Sequence, residues 1–259
     1  MTAVVVLADA NDRGASLVAS RVARRIGGRS VRLLRPEELA LARWSQRIGS
    51  DGRASTRLTL RDTETIDGSQ VQVLLNRVRL LEPVSFRRAS LKDRDYAAAE
   101  LHAVVASWLA ELGDRAVPSA RRHPWVVPPL SELQWRRAAA EVDLPLADMR
   151  VANAPKFAPR SVVRNDADVH APAIPPDAPT AGTILVAGRR TTGFGSPRIK
   201  AACRALGERL GYPLLECRFT PAEPGPVLCS VDPRPSLEQP WAAETAARFV
   251  VDRLPRILQ

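Results

Sequence analysis

Apolar and polar residues along the first third of the chain follow the pattern of a mixed strand and helix domain. Residues 3–8 form a continuous apolar run, which is typical of a buried parallel strand. Residues 14–27 carry apolar side chains at helical spacing and end in two glycines, so a helix is predicted there. We expect a second strand over 30–34 and a short helix over 36–43. Strand, helix and strand in this order indicate an open α/β domain.

The middle of the chain changes from a strand pattern to a helix pattern. Residues 55–61 and 64–75 have the polar and apolar alternation of strands. Asp67 and Gly68 form a turn pair between apolar positions, which makes them a candidate hairpin turn. Residues 93–112 then place a stripe of apolar side chains at helical spacing, and they predict the longest helix of the chain.

A second helix and a proline-rich stretch follow. The helix is predicted over 131–142, where Ser131 is suited to cap its first turn. Residues 152–182 contain six prolines and no sustained helical or strand period. Because proline blocks both helices and strand pairing, this stretch predicts an irregular connector.

The best-defined helix is predicted over residues 197–211. Ser196 is suited to cap its start, Pro197 fits its first position and Gly211 ends it. A short apolar strand at 183–187 lies before it, and a basic, glycine-containing loop joins the strand to the helix. A strand-like run and the sequence SVDPRP at its end follow the helix.

The basic loop and the start of this helix form a candidate anion-binding site. A helix N-terminus presents free backbone amides, and neighbouring cations strengthen its attraction for phosphate or carboxylate. The phosphate-loop order GxxxxGK[ST] is absent, and the alternative is a solvated basic loop that only caps the helix. The candidate ligand-binding residues are Arg189, Arg190, Thr191, Thr192, Gly193, Gly195, Ser196, Arg198 and Lys200.

These elements predict a division of the chain into four parts. They are an N-terminal α/β domain over 1–90, a helical segment over 91–150, a proline-rich connector over 151–182 and a C-terminal α+β domain over 183–259. The chain has 259 residues, of which 45% are hydrophobic, so it can build one large core or two smaller ones.

Composition disfavours several classes of function. No apolar run approaches the roughly 20 residues that cross a bilayer, and the N-terminus lacks the basic region of a signal peptide, so we expect a cytoplasmic protein without membrane contact. The net charge of +10 comes mainly from scattered arginines without a nucleic-acid-binding motif, which disfavours nucleic acid as a partner. Cys203, Cys217 and Cys229 match no zinc or redox spacing and are expected to be buried thiols.

Four stretches of the sequence, taken in order, carry a family resemblance. They are VLLNRV at 73–78, DYAAAE at 95–100, WVVPP at 125–129 with AAAEVDLP at 138–145, and IKAACRAL at 199–206 with VDPRP at 231–235. Their order is similar to that of the ATP-grasp ligases, particularly the group that modifies peptides and joins amino acids to carboxylates. The resemblance implies an α/β fold with two parts. One is a pre-ATP-grasp-like N-terminal domain with an open parallel sheet, and the other is a reduced, ATP-grasp-like C-terminal α+β domain.

The residues themselves fix no cofactor, whereas the resemblance implies ATP and magnesium. Family members have a central lid whose lysines hold the nucleotide phosphates, but the connector in that place has Lys156 as its one lysine. Members end in an E-x-N-P-like motif that binds magnesium, and this chain has SVDP at 230–233 instead. Asp232 is therefore the candidate metal ligand. The upstream acid that shares the metal would fall within residues 216–219, where the resemblance aligns Arg218.

Two functions follow from the resemblance and its departures. In the first, the chain is a degenerate ATP-grasp-like protein that binds a small anionic molecule or a companion ligase in a ligase, cofactor-assembly or peptide-modification pathway, without ligase activity of its own. In the second, it is an ATP- and magnesium-dependent carboxylate–amine ligase. Its cleft would then include Asn76, Arg77, the basic loop and Asp232, with Arg77 and Arg189 clamping a carboxylate or phosphate. Both functions remain alternatives at this point. The sequence also leaves open whether the chain forms a homodimer.

Overall fold

The structure is a computed structural model that describes residues 2–52, 54–61, 64–78, 81–119, 130–147 and 180–255. Its strands are β1 Val4–Leu7, β2 Val31–Leu34, β3 Arg43–Ile48, β4 Ala54–Thr59, β5 Thr65–Asp67, β6 Val73–Asn76, β7 Ala116–Val117, β8 Gly182–Ala187, β9 Arg190–Gly193, β10 Leu214–Thr220 and β11 Val227–Asp232. Its helices are α1 Arg13–Ile26, α2 Pro36–Leu41, α3 Leu91–Leu112, α4 Glu132–Ala140, α5 Pro197–Leu210 and α6 Pro240–Asp252. Within the described ranges, no helix is long and apolar enough to cross a membrane.

The first half of the chain forms a four-stranded parallel sheet in the order β2-β1-β6-β7. Val4 of β1 pairs with Val31 on one side and with Val73 on the other. All of β1 is buried, because α1 covers one face of the sheet while α3 and the small antiparallel sheet β3-β4-β5 cover the other. A central strand covered on both faces needs apolar side chains on both, which explains the unbroken apolar run at 3–8. The predicted α/β class is confirmed.

The second half of the chain forms a four-stranded antiparallel sheet in the order β11-β10-β8-β9. Helices α4 and α5 pack on one face of this sheet, around Leu206, Leu215 and Phe219. Helix α6 packs on the other face, over β8 and β9. Over β10 and β11 this second face carries polar side chains instead.

The helix starts form where the sequence predicts them. At the start of α5, Ser196 Oγ accepts a hydrogen bond from the amide of Ile199 at 3.4 Å, and Pro197 is the first helical residue. At the start of α4, Ser131 Oγ accepts a hydrogen bond from the amide of Gln134 at 3.3 Å. These side chains satisfy amides that have no carbonyl partner in the first helical turn.

Helices α1 and α6 join the two halves of the chain. They pack against each other, and their buried side chains belong to a core that includes residues of both four-stranded sheets. The buried residues that α6 contributes are mostly small: Ala242, Ala243, Ala246, Ala247, Phe249 and Val250. Because the distance between packed helices depends on the side chains at the contact, these alanines allow a close approach.

Three parts of the fold differ from the prediction. Residues 190–193, expected within a loop, form β9 and pair with β8, so the basic loop is a β-hairpin. The strand predicted over 64–75 is divided between β5 and β6, which belong to different sheets, so Asp67 and Gly68 do not form a hairpin turn. Strand β3 and helix α6 have no counterpart in the prediction.

The segment at 91–150 contributes to both halves of the fold. Helix α3 packs on the parallel sheet and β7 adds its fourth strand, whereas α4 packs on α5 beside the antiparallel sheet. The connector predicted over 151–182 lies outside the described residues up to position 179, and so do Lys156 and the place of the expected lid. The four-part division therefore stays a prediction.

Gly14, in the first turn of α1, lies against the backbone of Leu237. A Cβ atom at position 14 would come within 2.8 Å of Leu237 Cβ and 2.9 Å of its carbonyl carbon. We predict that Gly14→Ala lowers the free energy of unfolding by about 1–3 kcal/mol because it overpacks this contact. In an open helix the same change stabilises by up to about 1 kcal/mol. Urea unfolding followed by circular dichroism measures the effect.

Gly28→Ala is the matched control for this prediction. Among the residues that the structure describes, no atom outside the neighbouring residues lies within 4 Å of a Cβ built at position 28, so the control adds a methyl group without a clash. We expect its free energy of unfolding to stay unchanged or to rise slightly. Equal losses in the two variants would contradict the packing explanation.

Glu244 of α6 is the centre of an ion-pair network between α6 and α1. Arg21 donates to one carboxylate oxygen at 3.1 Å, and Arg25 donates to the other. Arg248, one turn further along α6, donates to the carboxylate at 2.7 Å. The hydrogen bond from Arg248 is the main cause that lowers the pKa of Glu244 from its ordinary value.

We predict that Glu244→Gln lowers the free energy of unfolding by about 1 kcal/mol at neutral pH. A carboxylate whose pKa is lower in the folded than in the unfolded protein stabilises the fold above its unfolded pKa. It loses that contribution as the pH falls through its folded pKa. The difference between wild type and variant should therefore shrink below about pH 4.5, the ordinary value for this carboxyl group.

A series of urea unfolding curves across this pH range measures the effect of Glu244→Gln. The control is Glu208→Gln, which removes an exposed acid of α5 that has no ion pair within the described residues. A Glu244→Gln effect that is constant with pH, or equal to that of the control, would refute the network explanation.

Candidate functional site

Four polar side chains lie together on one face of the antiparallel sheet, across β10 and β11. The strand register places Glu216 opposite Asp232 and Arg218 opposite Ser230. Because side chains alternate along a strand, these four share a face, whereas the intervening Cys217 points into the core on the other side. We call them the β10–β11 polar cluster.

Glu216 is the buried member of this cluster, with 8% of its side chain exposed. Arg218 donates from Nη2 to Glu216 Oε1 at 3.2 Å, and the backbone amide of Ser236 donates to Oε2 at 2.7 Å. A carboxylate is stable out of water only when such partners replace its hydration. Both oxygens of Glu216 are therefore bonded within the chain.

Asp232 is the exposed acid of the cluster, and its Oδ1 accepts a hydrogen bond from the backbone amide of Arg234 at 2.7 Å. Throughout the described residues, no group of three or more His, Cys, Asp or Glu side chains could hold a metal ion. The cluster offers one ion-paired carboxylate, one exposed carboxylate and the Ser230 hydroxyl. Magnesium is usually held by one or two carboxylates together with water and substrate phosphates. Because Glu216 is already bonded to Arg218 and to the Ser236 amide, the cluster fits magnesium poorly.

Asn76 is the last residue of β6, at the carboxyl edge of the parallel sheet, and Arg77 directly follows it. Arg77 is 9% exposed and donates from Nε to Asp12 Oδ2 at 2.7 Å and from Nη1 to the carbonyl of Pro235 at 3.0 Å. Asn76 Oδ1 accepts the amide of Val78 at 3.2 Å. The guanidinium that the sequence suggested as a ligand clamp thus holds a carboxylate of the chain itself.

The predicted basic-loop residues are distributed along the β8–β9 hairpin. Arg190 is ion-paired with Asp252 of α6 at 3.0 Å, and Thr192 Oγ1 lies 3.1 Å from Thr245 Oγ1 of the same helix. The remaining residues at the turn and along the strand are Arg189, Thr191 and Gly193. These contacts attach the hairpin to α6, and in this arrangement they serve the fold.

The strand also separates the two groups of cations that the sequence placed together. At about 3.3 Å per residue, β9 puts its first residue, Arg190, roughly 10 Å along the strand from its last residue, Gly193. Gly195, Ser196 and Lys200 lie beyond Gly193, at the start of α5. Gly193 has φ of +103°, and a Cβ there would lie 2.2 Å from the carbonyl oxygen of Thr183, so its role is to allow close strand pairing. An anion-binding site that includes both groups of residues stays a prediction.

Arg198 lines a separate groove of about 530 Å³ between α5 and the turn that follows α4. The lining residues are mostly apolar: Val142, Asp143, Leu144, Pro145, Arg198, Ile199, Ala201, Ala202 and Ala205. Since α4 and α5 pack on the opposite face of the antiparallel sheet from the β10–β11 polar cluster, the groove and the cluster are independent features.

Comparisons with known proteins place this geometry in a fold family. MdnC, a macrocyclase from Microcystis aeruginosa MRC bound with precursor peptide MdnA, superposes with a TM-score of 0.72 at 12% identity, over 97% of this chain and 100% of MdnC. A RiPP-associated ATP-grasp ligase from Chryseobacterium gregarium, in complex with ADP and a leader and core peptide, gives 0.72 at 11% identity, over 99% and 98% of the chains. ATP-grasp ligase PsnB, complexed with minimal precursor, Mg and ADP, gives 0.65 at 10% identity, over 96% of each chain. The chain has the ATP-grasp fold.

The fold likeness extends over nearly the whole chain in each case. No protein-family model matches the sequence, and no curated protein matches it. The solved structures, which share the fold over nearly their whole length, confirm the expected ATP-grasp fold.

The strand register places an acid beside Asp232 that the sequence alone did not single out. The resemblance aligned Arg218 there, but Glu216 is the residue opposite Asp232 in the ATP-grasp fold of this chain. A β-bulge between Arg218 and Phe219 leaves Cys229 without a partner in the register. The alternation Leu215, Glu216, Cys217 already indicated that Glu216 lies on the polar face.

The three cysteines are buried and free, as predicted. A hydrogen bond with Cys203 is the main cause that raises the pKa of the Cys217 thiol, and burial adds to it. Burial likewise raises the pKa of Cys229. Because the thiolate is the reactive form, these thiols are suited to packing within the ATP-grasp fold rather than to chemistry.

We predict that Arg77→Met lowers the free energy of unfolding by about 3 kcal/mol, because it leaves the Asp12 carboxylate and the Pro235 carbonyl without their buried partner. Arg57→Met is the matched control, since Arg57 pairs with Asp67 at 3.1 Å but is 64% exposed. The control should lose less than about 1 kcal/mol. Urea unfolding of both variants decides the matter, and equal losses would show that the Arg77 pair has no special role.

Proposed function

We propose that this chain acts in a peptide-modification pathway as an ATP-grasp-like protein that binds a small anionic ligand or a companion ligase and has no ligase activity of its own. The pathway is supported by the fold, because solved structures with this fold are described as macrocyclases or ligases bound to precursor peptides. The loss of ligase activity is supported by the β10–β11 polar cluster.

The pair Glu216–Arg218 is the observation that carries this proposal. Phosphoryl transfer depends on cations that hold the phosphates and neutralise the charge developing on them. The carboxylate best placed to share such a cation with Asp232 is bonded to Arg218 at 3.2 Å and to the Ser236 amide at 2.7 Å. The guanidinium of Arg218 already neutralises the Glu216 carboxylate and would compete with a magnesium ion for it.

ATP and magnesium are the cofactors that the fold implies, and the ligand set present argues against a strong site for them. Asp232 is the one exposed carboxylate of the cluster, and Ser230 offers a neutral hydroxyl in place of a second acid. Lysine side chains that could hold phosphates are also scarce, since Lys92 and Lys200 are the lysines within the described ranges. Magnesium, if bound, would be held by Asp232 and would supply charge neutralisation to a phosphate.

The alternative function is an ATP- and magnesium-dependent carboxylate–amine ligase with an unusual nucleotide site. The direct pairing of Glu216 with Asp232 favours it, because two carboxylates on adjacent strands are a plausible start for a hard-cation site. Here Arg218 would need to turn away from Glu216 when the metal binds. Binding of nucleotide would then depend strongly on Asp232.

We predict that the purified protein shows no ATP hydrolysis above background with magnesium, with or without added peptide. We also predict that Asp232→Ala leaves its affinity for Mg-ATP unchanged in calorimetric titration. Neither result requires a known substrate. Glu208→Ala, which removes an exposed acid on the opposite face of the sheet, is the matched control.

One result of the same titrations would overturn the proposed function. Micromolar affinity for Mg-ATP that is lost in Asp232→Ala and kept in Glu208→Ala would support the ligase function and overturn the non-catalytic one. A homodimer, which the proposal leaves open, can be examined on the same samples by analytical ultracentrifugation.

A further inference from the structure

Strand β3 is an edge of the small antiparallel sheet β3-β4-β5, and no strand pairs with its outer side within the described ranges. It has six residues, contains no proline and pairs with β4 in continuous register. All of its residues except the half-buried Trp44 are exposed. A long, regular edge of this kind can accept a further strand, because a row of its backbone groups has no partner.

The hydrogen bonds of the neighbouring strand show which backbone groups of β3 face outward. Just after β4, the amide of Leu60 donates to the carbonyl of Glu64, so the even-numbered residues of β4 bond toward β5. The odd-numbered residues of β4 therefore bond toward β3, where Arg57 lies opposite Ser45. It follows that the backbone groups of Ser45 face β4, whereas those of its two neighbours face away from the sheet.

Three residues of β3 direct their N–H and C=O groups to the open edge, namely Trp44, Gln46 and Ile48. Within the described residues, none of these groups forms a backbone hydrogen bond. Gln46 and Ile48 are both exposed, and Ile48 has 70% of its surface exposed. The edge therefore offers main-chain partners to an extended peptide, with an apolar side chain at its far end.

The outer face of this sheet carries the charges that select a partner. By the register, the arginines on this face are Arg43, Arg47 and Arg57, and Asp67 is the acid that the described strands place there. Asp67 pairs with Arg57 at 3.1 Å and neutralises it. Arg43 and Arg47 form no ion pair within the described residues, and both belong to the edge strand itself. The open edge is thus positively charged on its outer face.

We propose that β3 binds an extended acidic peptide as a fourth strand of this sheet. This inference goes beyond the proposed function and stands on β3 alone. In an antiparallel pairing, Arg43, Ser45 and Arg47 form the pairs without main-chain hydrogen bonds, in which side chains approach most closely. Acids four positions apart in the peptide would lie opposite the two arginines, and opposite charges attract across strands. An apolar residue on the other face of the peptide would lie beside Ile48.

Charge also favours an acidic peptide over a second copy of this chain. If two β3 strands paired antiparallel in full register, Arg43 of each copy would face Arg47 of the other. Like charges directly opposite each other are destabilising. Arginines on an edge strand therefore block pairing with a like strand, and they leave the edge open to an acidic one.

The direct test uses two capped peptides of equal composition, VEVTVEVT and VEVTEVVT, each with a fluorescent label and titrated with the full chain. The first has its glutamates four positions apart on one face of a strand, and the second has them three positions apart on opposite faces. We expect the first peptide to bind about tenfold more tightly, and added salt to weaken its binding. Equal affinities, or no binding of either peptide at millimolar concentration, would overturn the inference.

Variants of the two arginines test whether their charge selects the peptide. The double variant Arg43→Gln, Arg47→Gln should bind VEVTVEVT about tenfold more weakly, because both cross-strand charge pairs are lost. The charge-matched control is Arg24→Gln with Arg204→Gln, which changes exposed residues of α1 and α5 that have no ion pair within the described residues. This control should bind as wild type does. Equal losses in the two double variants would indicate a general charge effect and refute a site at β3.

The variant Gln46→Pro tests the main-chain pairing. It removes the outward N–H of position 46 and leaves the pairing of β3 with β4 intact, because proline is tolerated at an edge where the N–H faces solvent. Binding should be lost in Gln46→Pro and kept in Gln46→Ala, which loses only the side chain and its 3.0 Å hydrogen bond to Thr56. If Gln46→Pro is unstable, VEVTVEVT with its two central valines N-methylated gives the same test on the wild-type chain. Undiminished binding of that peptide would contradict strand addition.

Two further results are informative on the same samples. A dimer of the wild-type chain that Gln46→Pro abolishes would show that the edge binds a second copy, and it would overturn the inference. ATP turnover by the wild-type protein would refute the proposed function and leave the peptide measurements unaffected.

Discussion

The buried ion pair between Arg77 and Asp12 is the interaction on which the arrangement of the two halves depends. Asp12 also caps α1, with its other oxygen accepting the amide of Ala15 at 2.8 Å. The same guanidinium holds the carbonyl of Pro235, from the segment that follows β11. One side chain thus joins the end of β6, the start of α1 and the C-terminal half. A guanidinium that is 9% exposed is tolerable only with all these partners in place, so the geometry is closely specified.

This junction determines where the β10–β11 polar cluster lies. With Pro235 held at the carboxyl edge of the parallel sheet, the next residue, Ser236, directs its amide at Glu216 and so helps to bury that carboxylate. Leu237 then fills the space that Gly14 leaves beside α1. Helix α6 follows, and its alanines allow it to pack closely on α1 over β8 and β9, which leaves β10 and β11 free to carry polar side chains.

The sequence predicted the elements whose signals are local. The apolar run of β1, the Ser196 cap of α5 and the Ser131 cap of α4 all form as expected, because each depends on a few neighbouring residues. Strand β9 was missed, since Arg-Thr-Thr-Gly has no apolar alternation and is a strand only through its pairing with β8. The pairing register of β10 and β11 could not be predicted from the sequence either, because the bulge beside Arg218 changes which of their residues lie opposite each other.

The same limit explains why the candidate site changed. Spacing along the chain put Arg189, Arg190 and the start of α5 in one loop, and pairing in three dimensions separated them along β9. The residues that did come together, Glu216 and Asp232, lie 16 positions apart and are joined only by the antiparallel register. Local motifs describe sites built from one loop, whereas a site built across strands is defined by the sheet. The chemistry of such a site then follows from the partners that the sheet gives each acid, which for Glu216 are the Arg218 guanidinium and the Ser236 amide.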